Sequence, residues 1–250
     1  KSAEDQEQFV KSVVDSIHVT TDAAKAVEST DLVIEAIIEN MKIKKELFSF
    51  LDSKAPAGAI FASNTSSLSV SAIATACRHP QRVAGFHFFN PVPLMRVVEV
   101  IDGIATDPAV SDALLELARR MGHTGVRAKD TPGFIVNHAG RGYGTEALRV
   151  VSEGVADFAT IDRILRDQVG FKLGPFELFD LTGLDVSHPV MESIYHQYFE
   201  EPRYRPNVIA AQRMAGGVVA GPMINARSSF LEQSVRGQNQ LLGEAQQHAH

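Results

Sequence analysis

The chain has 250 residues, 44% of them hydrophobic and 22% charged, which is the composition of a soluble globular protein with room for one large domain or two ordinary ones. A net charge of −6 and a pI of about 5.8 argue against a nucleic-acid-binding footprint, although a local basic cluster could still meet a small anion. The single cysteine, Cys77, leaves no disulfide framework and no cysteine-based zinc site and suits a reducing compartment; no run of about eighteen apolar residues predicts a membrane span.

In chain order, residues 1–16 read as a polar helix with Phe9 and Val13 on one face, Ile17–Val19 as a short strand and Asp22–Glu28 as an alanine-rich helix. Leu32–Ile38 is an apolar strand interrupted by Glu35. Asn40 then caps a helix whose apolar positions Ile43, Leu47, Phe50 and Leu51 recur at helical spacing. Ala59–Ala62 is a strand running into Ser63-Asn64-Thr65-Ser66-Ser67, Val70–Cys77 a short helix and Arg82–Phe88 the next strand. Val97, Val98 and Val100 mark another strand around Glu99. Asp107-Pro108 opens a helix with Leu114, Leu117, Ala118 and Met121 on its apolar face, and Thr124–Ala128 is the last strand. Strands alternating with helices predict an α/β domain with a mostly parallel sheet. Beyond a boundary near Ala128–Thr131 the pattern turns helical, over Phe134–Glu153, Ile161–Val169 and Pro175–Phe199. The segment from about Gly221 is polar and glutamine-rich and is expected to be mobile or loosely docked.

Chemistry concentrates in Gly85–Ile101, GFHFFNPVPLMRVVEVI. A lone histidine beside phenylalanines is more often a satisfied core residue than a catalyst. Two features raise His87 above that reading. Glu99 is a carboxylate among apolar strand neighbours and needs a partner, and the Asn90-Pro91-Val92-Pro93 corner lets the chain double back toward it. A histidine held by a carboxylate has its tautomer fixed and can remove a hydroxyl proton.

HFFNPVP followed by VVEV, together with the SNTSS and PGFIVN segments, resembles the L-3-hydroxyacyl-CoA dehydrogenases, the short-chain 3-hydroxyacyl-CoA and 3-hydroxybutyryl-CoA enzymes of fatty-acid β-oxidation. The resemblance covers about residues 1–219. It implies His87 as the base, Glu99 as the group that orients it, and Ser66 and Asn137 as substrate contacts. It implies NAD as cofactor, with Glu39 and Lys44 near the nicotinamide ribose, Asn64 and the Ala36 backbone close by, and Asn90 as a further contact. Lys42, Lys44 and Lys45 form a small basic cluster that is either a solvated face or a steering patch for an anion. The fold it implies is an incomplete Rossmann-like NAD-binding domain over residues 1–128, an all-α domain over 129–220 that carries a homodimer contact, and an atypical tail over 221–250.

The family's glycine-rich GxGxxG turn and the acidic residue after it do not occur here, so the chain reads as N-terminally truncated by about sixty residues, with exposed sheet edges and either poor solubility or compensating association as the expected consequence. The expected activity is NAD-dependent interconversion of (S)-3-hydroxyacyl-CoA and 3-oxoacyl-CoA. The alternative is a catalytically incompetent fragment that binds acyl-CoA or a partner subunit. The expected compartment is the cytoplasm, or the mitochondrial matrix if a transit peptide preceded Lys1. Gly140-Arg141-Gly142-Tyr143-Gly144 imitates part of a dinucleotide fingerprint but follows no strand, so helix packing or a local break explains it better. His188 and Glu192 lie four apart without a third ligand; no metal, nucleic acid or membrane partner is expected.

Overall fold

A computed structural model of the chain describes residues 3–217. Among the described residues, eleven α-helices and five strands follow in the order α1 (Ala3–Asp15), α2 (Ala23–Val27), β1 (Leu32–Glu35), α3 (Met41–Asp52), β2 (Ile60–Ser63), α4 (Val70–Ala74), β3 (Val83–Phe88), β4 (Val97–Asp102), α5 (Pro108–Arg120) and β5 (Thr124–Lys129). The helical part is α6 (Val136–Ala139), α7 (Arg141–Ser152), α8 (Phe158–Asp167), α9 (Pro175–Thr182), α10 (Leu184–Gln197) and α11 (Val208–Ala215). The sheet order is β1-β2-β3-β4-β5. All neighbours are parallel except β3 and β4, which pair antiparallel with His87 opposite Glu99. The Pro-rich corner between them makes that reversal.

The pleat divides the two faces of β3 and β4. Phe86, Val98 and Val100 join Leu114 and Ala118 of α5 in one core, whereas Val83 and Ile101 pack with Phe48, Leu51, Val70 and Ile73 from α3 and α4 in the other. His87 and Glu99 alternate with Phe86, Val98 and Val100, so they share the α3/α4 side, and Phe134 closes over the imidazole at 5.7 Å between centroids. A third core, built on Leu148, Phe176, Met191 and Ala210, belongs to the helical part.

Several elements differ from the sequence expectation, each for a visible reason. Ile17–Val19 forms no strand; Val19 is 94% exposed, and three residues without a neighbouring ladder gain no sheet hydrogen bonds. The strand expected over Leu32–Ile38 stops at Glu35, because the Glu35 carboxylate accepts from the Ile37 amide at 2.6 Å and turns the chain off the ladder. On α3 the buried residues are Lys44, Phe48, Leu51 and Asp52, while Ile43 and Phe50 face outward. The helix is rotated from the face its apolar residues predicted, because Lys44 has an acidic partner inside. The helix expected over Phe134–Glu153 breaks at Gly140, and the one over Pro175–Phe199 at Gly183, whose φ of +84° no other residue type adopts readily. Gly144 is a packing glycine: an added Cβ would lie 2.4 Å from Phe179 of α9. Helix α11 had no sequence expectation. The segment 221–250 lies outside the described residues. At the other edge of the sheet β1 leaves Ile34 46% exposed, and Phe9 and Val13 of α1 are exposed as well.

Candidate active site

The site begins with a buried pair. His87, 3% exposed on β3, meets Glu99, 1% exposed on β4, with Nδ1 and Oε2 2.7 Å apart. Cross-strand neighbours in an antiparallel pair project to the same face, so strand register alone brings the two together. The other carboxylate oxygen accepts from the Ile135 and Val136 amides, both at 2.9 Å. Gly133 at φ +78° and Phe134 at φ +52° shape the turn that aims those amides inward, and Phe134 holds a conformation that a bulky side chain disfavours. Burial by itself would raise the Glu99 carboxyl; the His87 hydrogen bond and then the Val136 and Ile135 amides outweigh it and hold the group below its ordinary value of 4.5. An ionised Glu99 accepts the proton on Nδ1, which leaves Nε2 with its lone pair. Nε2 faces the Ser66 hydroxyl at 3.1 Å.

Ser66 sits in the SNTSS loop after β2, and one carboxylate shapes that loop. Glu39 Oε1 accepts from Thr65 Oγ1 at 2.6 Å, from the Ser66 and Ser67 amides at 3.0 Å each, and from Ser67 Oγ at 3.1 Å. Burial raises the Glu39 carboxyl, but the Thr65 hydroxyl, the Lys44 charge and the loop donors together lower it. Lys44 is 1% exposed. Its ammonium donates to Glu35 Oε1 at 2.7 Å and to the Ile37 carbonyl at 3.3 Å, and forms an ion pair with Glu39 Oε2 at 3.4 Å. It therefore supports the site from inside and presents no exposed donor, whereas Lys42 is exposed beside Glu46. The basic cluster expected from sequence is not one surface patch.

Asn64 Oδ1 accepts from the Phe88 amide at 2.8 Å and ties the loop to β3. Ala36 is exposed just past the carboxyl end of β1, and Asn90 is exposed beyond β3. Asn137, in α6, donates to the Ser66 carbonyl at 3.3 Å. His87, Glu99, Ser66 and Asn137 thus form one connected chain, with Glu39, Lys44 and Asn64 behind the loop and Ala36 and Asn90 at the open carboxyl ends of the strands.

Three contributors escaped the sequence reading. Gln197, at the end of α10, donates to the Ser67 carbonyl at 2.7 Å from 130 positions away. Asp130 binds Ser69 Oγ, the Val70 amide and the Ser71 amide at 2.7–2.9 Å and clamps the start of α4. The third is the pair of Ile135 and Val136 amides on Glu99. Asp130 had a visible signal, a lone acid before Thr-Pro-Gly at the domain boundary; the other two are set by the fold alone. His188 and Glu192 lie 3.5 Å apart as a helical pair. Among the described residues no three His, Cys, Asp or Glu side chains converge as a metal site, and no helix is long and apolar enough to cross a membrane.

A Rossmann-type, mostly parallel sheet carrying a glutamate-held histidine, followed by a helical domain, defines the class of two-domain nucleotide-dependent dehydrogenase folds. Residues 1–131 match the family model for the NAD binding domain of 3-hydroxyacyl-CoA dehydrogenase, and residues 133–220 match that for its C-terminal domain. The chain belongs to the 3-hydroxyacyl-CoA dehydrogenase family. It is 43% identical over 201 residues to the mitochondrial hydroxyacyl-coenzyme A dehydrogenase of Sus scrofa, covering 80% of this chain and 64% of that protein. It is 44% identical over 192 residues to the 3-hydroxyadipyl-CoA dehydrogenase of Escherichia coli, covering 77% and 40% respectively. The crystal structure of (S)-3-hydroxybutyryl-CoA dehydrogenase from Ralstonia eutropha superposes with a TM-score of 0.78 at 32% identity, over 87% of this chain and 80% of that one. The chain spans just under two thirds of the length of its mammalian relative.

Proposed function

We propose that this chain performs NAD-dependent interconversion of (S)-3-hydroxyacyl-CoA and 3-oxoacyl-CoA, in fatty-acid β-oxidation, with His87 as the base. The observation that carries this reading is the orientation of one imidazole: Nδ1 held by ionised Glu99 at 2.7 Å, Nε2 turned to Ser66 at 3.1 Å.

The residues fit a nicotinamide at the open carboxyl ends of β1 and β2, where Ala36 and the exposed Ile37 and Ile38 leave backbone and apolar surface beside Asn64 and Ser66. NAD would supply the hydride acceptor there. His87 Nε2 takes the proton from the 3-hydroxyl as the carbon–hydrogen bond breaks. Glu99, already ionised, favours the imidazolium that results. Ser66 Oγ, which the ring already contacts, hydrogen-bonds the 3-oxygen, and Asn137 holds the thioester side so that the reacting carbon is fixed. Glu39 and Lys44 act on the cofactor through what they position: Glu39 through the Ser66 and Ser67 amides, Lys44 through the Ile37 carbonyl. Asn90 contributes at the open rim.

The helical domain supports a homodimer, because Phe171, Val186 and Val208 leave exposed apolar surface on it. The single cysteine supports a reducing compartment, cytosol or mitochondrial matrix; burial and then the nearby Asp52 charge push the Cys77 thiol up to about 11, so it is no nucleophile. NADH oxidation with acetoacetyl-CoA, measured at high NADH for the wild type and His87→Gln together, tests the reading. Turnover in the wild type alone is expected. Equal turnover in both removes His87 as base, and silence in both alongside calorimetric acyl-CoA binding favours the binding-only alternative.

A further inference from the structure

Arg141 opens α7, and its Nε is shielded from water with no hydrogen-bond partner among the described residues. Burial lowers its pKa to about 10, which still leaves it charged at neutral pH. A shielded N–H with no acceptor is costly unless something fills the role.

The side chain lines a cleft of about 180 Å³ with Asn137, Tyr143, Leu178, Phe179 and Thr182. The hydroxyls there are already engaged: Tyr143 donates to the Leu173 carbonyl at 2.6 Å, and Thr182 to the Leu178 carbonyl at 2.9 Å. No Asp or Glu side chain lines the cleft among the described residues. Asn137 of α6 and Arg141 of α7 lie on either side of the break at Gly140, and both line this cleft. Asn137 in turn reaches the Ser66 carbonyl. Asn137 thus joins the cleft to the Ser66 loop beside His87, and Arg141 Nε is a donor in the same lining without a partner among the described residues. The N-terminus of α7 adds its partial positive charge at the same place.

The geometry points to Arg141 as a specificity residue that receives a carboxylate at the far end of the acyl chain, so that the preferred substrate is a short 3-hydroxy dicarboxylic acyl-CoA. This rests on the acyl-CoA reading above and narrows it. Apolar walls from Leu178 and Phe179 suit the methylenes between the two ends. The planar fork of Nε and Nη matches a carboxylate in two parallel hydrogen bonds, which a methyl terminus cannot return. A CoA phosphate is the other anion in such a ligand, but the apolar walls beside Asn137 suit the acyl chain instead.

Calorimetric titration of the full chain with adipyl-CoA and with hexanoyl-CoA separates these cases. Both ligands have six acyl carbons, neither has a 3-hydroxyl, and binding needs no turnover. Adipyl-CoA is expected to bind about ten-fold tighter or more. In Arg141→Met that ratio should fall to about one, and in Arg141→Lys, which keeps charge but loses the fork, to an intermediate value. If Arg141→Met does not fold by circular dichroism, the wild-type ratio and Arg141→Lys decide. Hexanoyl-CoA binding without any advantage for adipyl-CoA overturns the Arg141 assignment alone. Equal weakening of both ligands by Arg141→Met gives the guanidinium to CoA and overturns it too. Binding of neither ligand overturns the acyl-CoA reading along with it.

Discussion

Two buried acid–base pairs sit on this sheet, and they behave differently. Glu99 and His87 pair across β3 and β4; Glu35 and Lys44 pair between β1 and α3, 2.7 Å apart as well. Both carboxylates are nearly inaccessible, and both basic partners occupy positions that the family resemblance assigns to the site. The imidazole commits one nitrogen to Glu99 and turns the other outward to Ser66. The ammonium is enclosed, with two hydrogen bonds and an ion pair all directed inward. Counting free donors and lone pairs thus separates a group that can do chemistry from one that holds the frame, where position in a motif does not.

The largest expected effect is on rate. His87→Gln should lower turnover by about 10²–10⁴-fold with the fold retained by circular dichroism, because it removes the base and keeps a donor to Glu99. Lys44→Met should act on stability instead. It leaves Glu35 and Glu39 without their cation, and urea denaturation should show a loss of about 3–5 kcal/mol. A Lys44→Met protein as stable as wild type would erase the contrast between the two pairs.

Acid should weaken the Glu99 side. The folded pKa of Glu99 and Glu39 is lowered, so each contributes stability that is present above the ordinary value of 4.5 and lost as pH falls through the folded value. Asp52, buried against Arg78 and Arg82, adds to this further down: burial opposes its ionisation, yet the two arginines hold it at about 2. Melting curves from pH 6 to pH 3 should therefore fall, and less steeply in Glu99→Gln. An unchanged slope in that variant would mean Glu99 is not held ionised by His87.

The smallest effect has the opposite sign. Asp162, in α8, accepts the Phe176 and Glu177 amides at 2.9 and 3.0 Å. Burial, and then the neighbouring Glu177 and Asp180 charges, overcome those amides and raise it to about 6. Its folded form binds the proton more tightly than the unfolded form, so its share of stability is present below about 4 and lost as pH rises through 6. Asp162→Asn should flatten that limb. A variant indistinguishable from wild type between pH 4 and 7 would show that amides alone suffice to keep a buried carboxylate charged here.

Much of this was legible in the residues. Alternating apolar segments announced the α/β half, Asp107-Pro108 announced α5, and the change of period after Thr131 announced the helical half. His87, Glu99, Ser66 and Asn137 were all named from three segments, and the fold draws them into one hydrogen-bonded chain. Local chemistry suffices for such features, because caps, turns and side-chain periodicity act over a few residues.

What the sequence alone did not decide depends on neighbours distant along the chain. The Pro-rich corner announced that the chain doubles back after His87, but only the register of the β3–β4 pairing sets Glu99 directly opposite it. The buried face of α3 was misjudged because hydrophobicity cannot foresee that Lys44 will find Glu35 nine residues back on a strand. Gln197 reaches Ser67, and the Ile135 and Val136 amides reach Glu99, only once the helical domain has docked. Arg141 looks like one more surface arginine until the cleft forms around it and leaves its Nε without a partner among the described residues. Residue type determined which groups could carry charge or protons here; burial and long-range contact determined which of them remained free to use it.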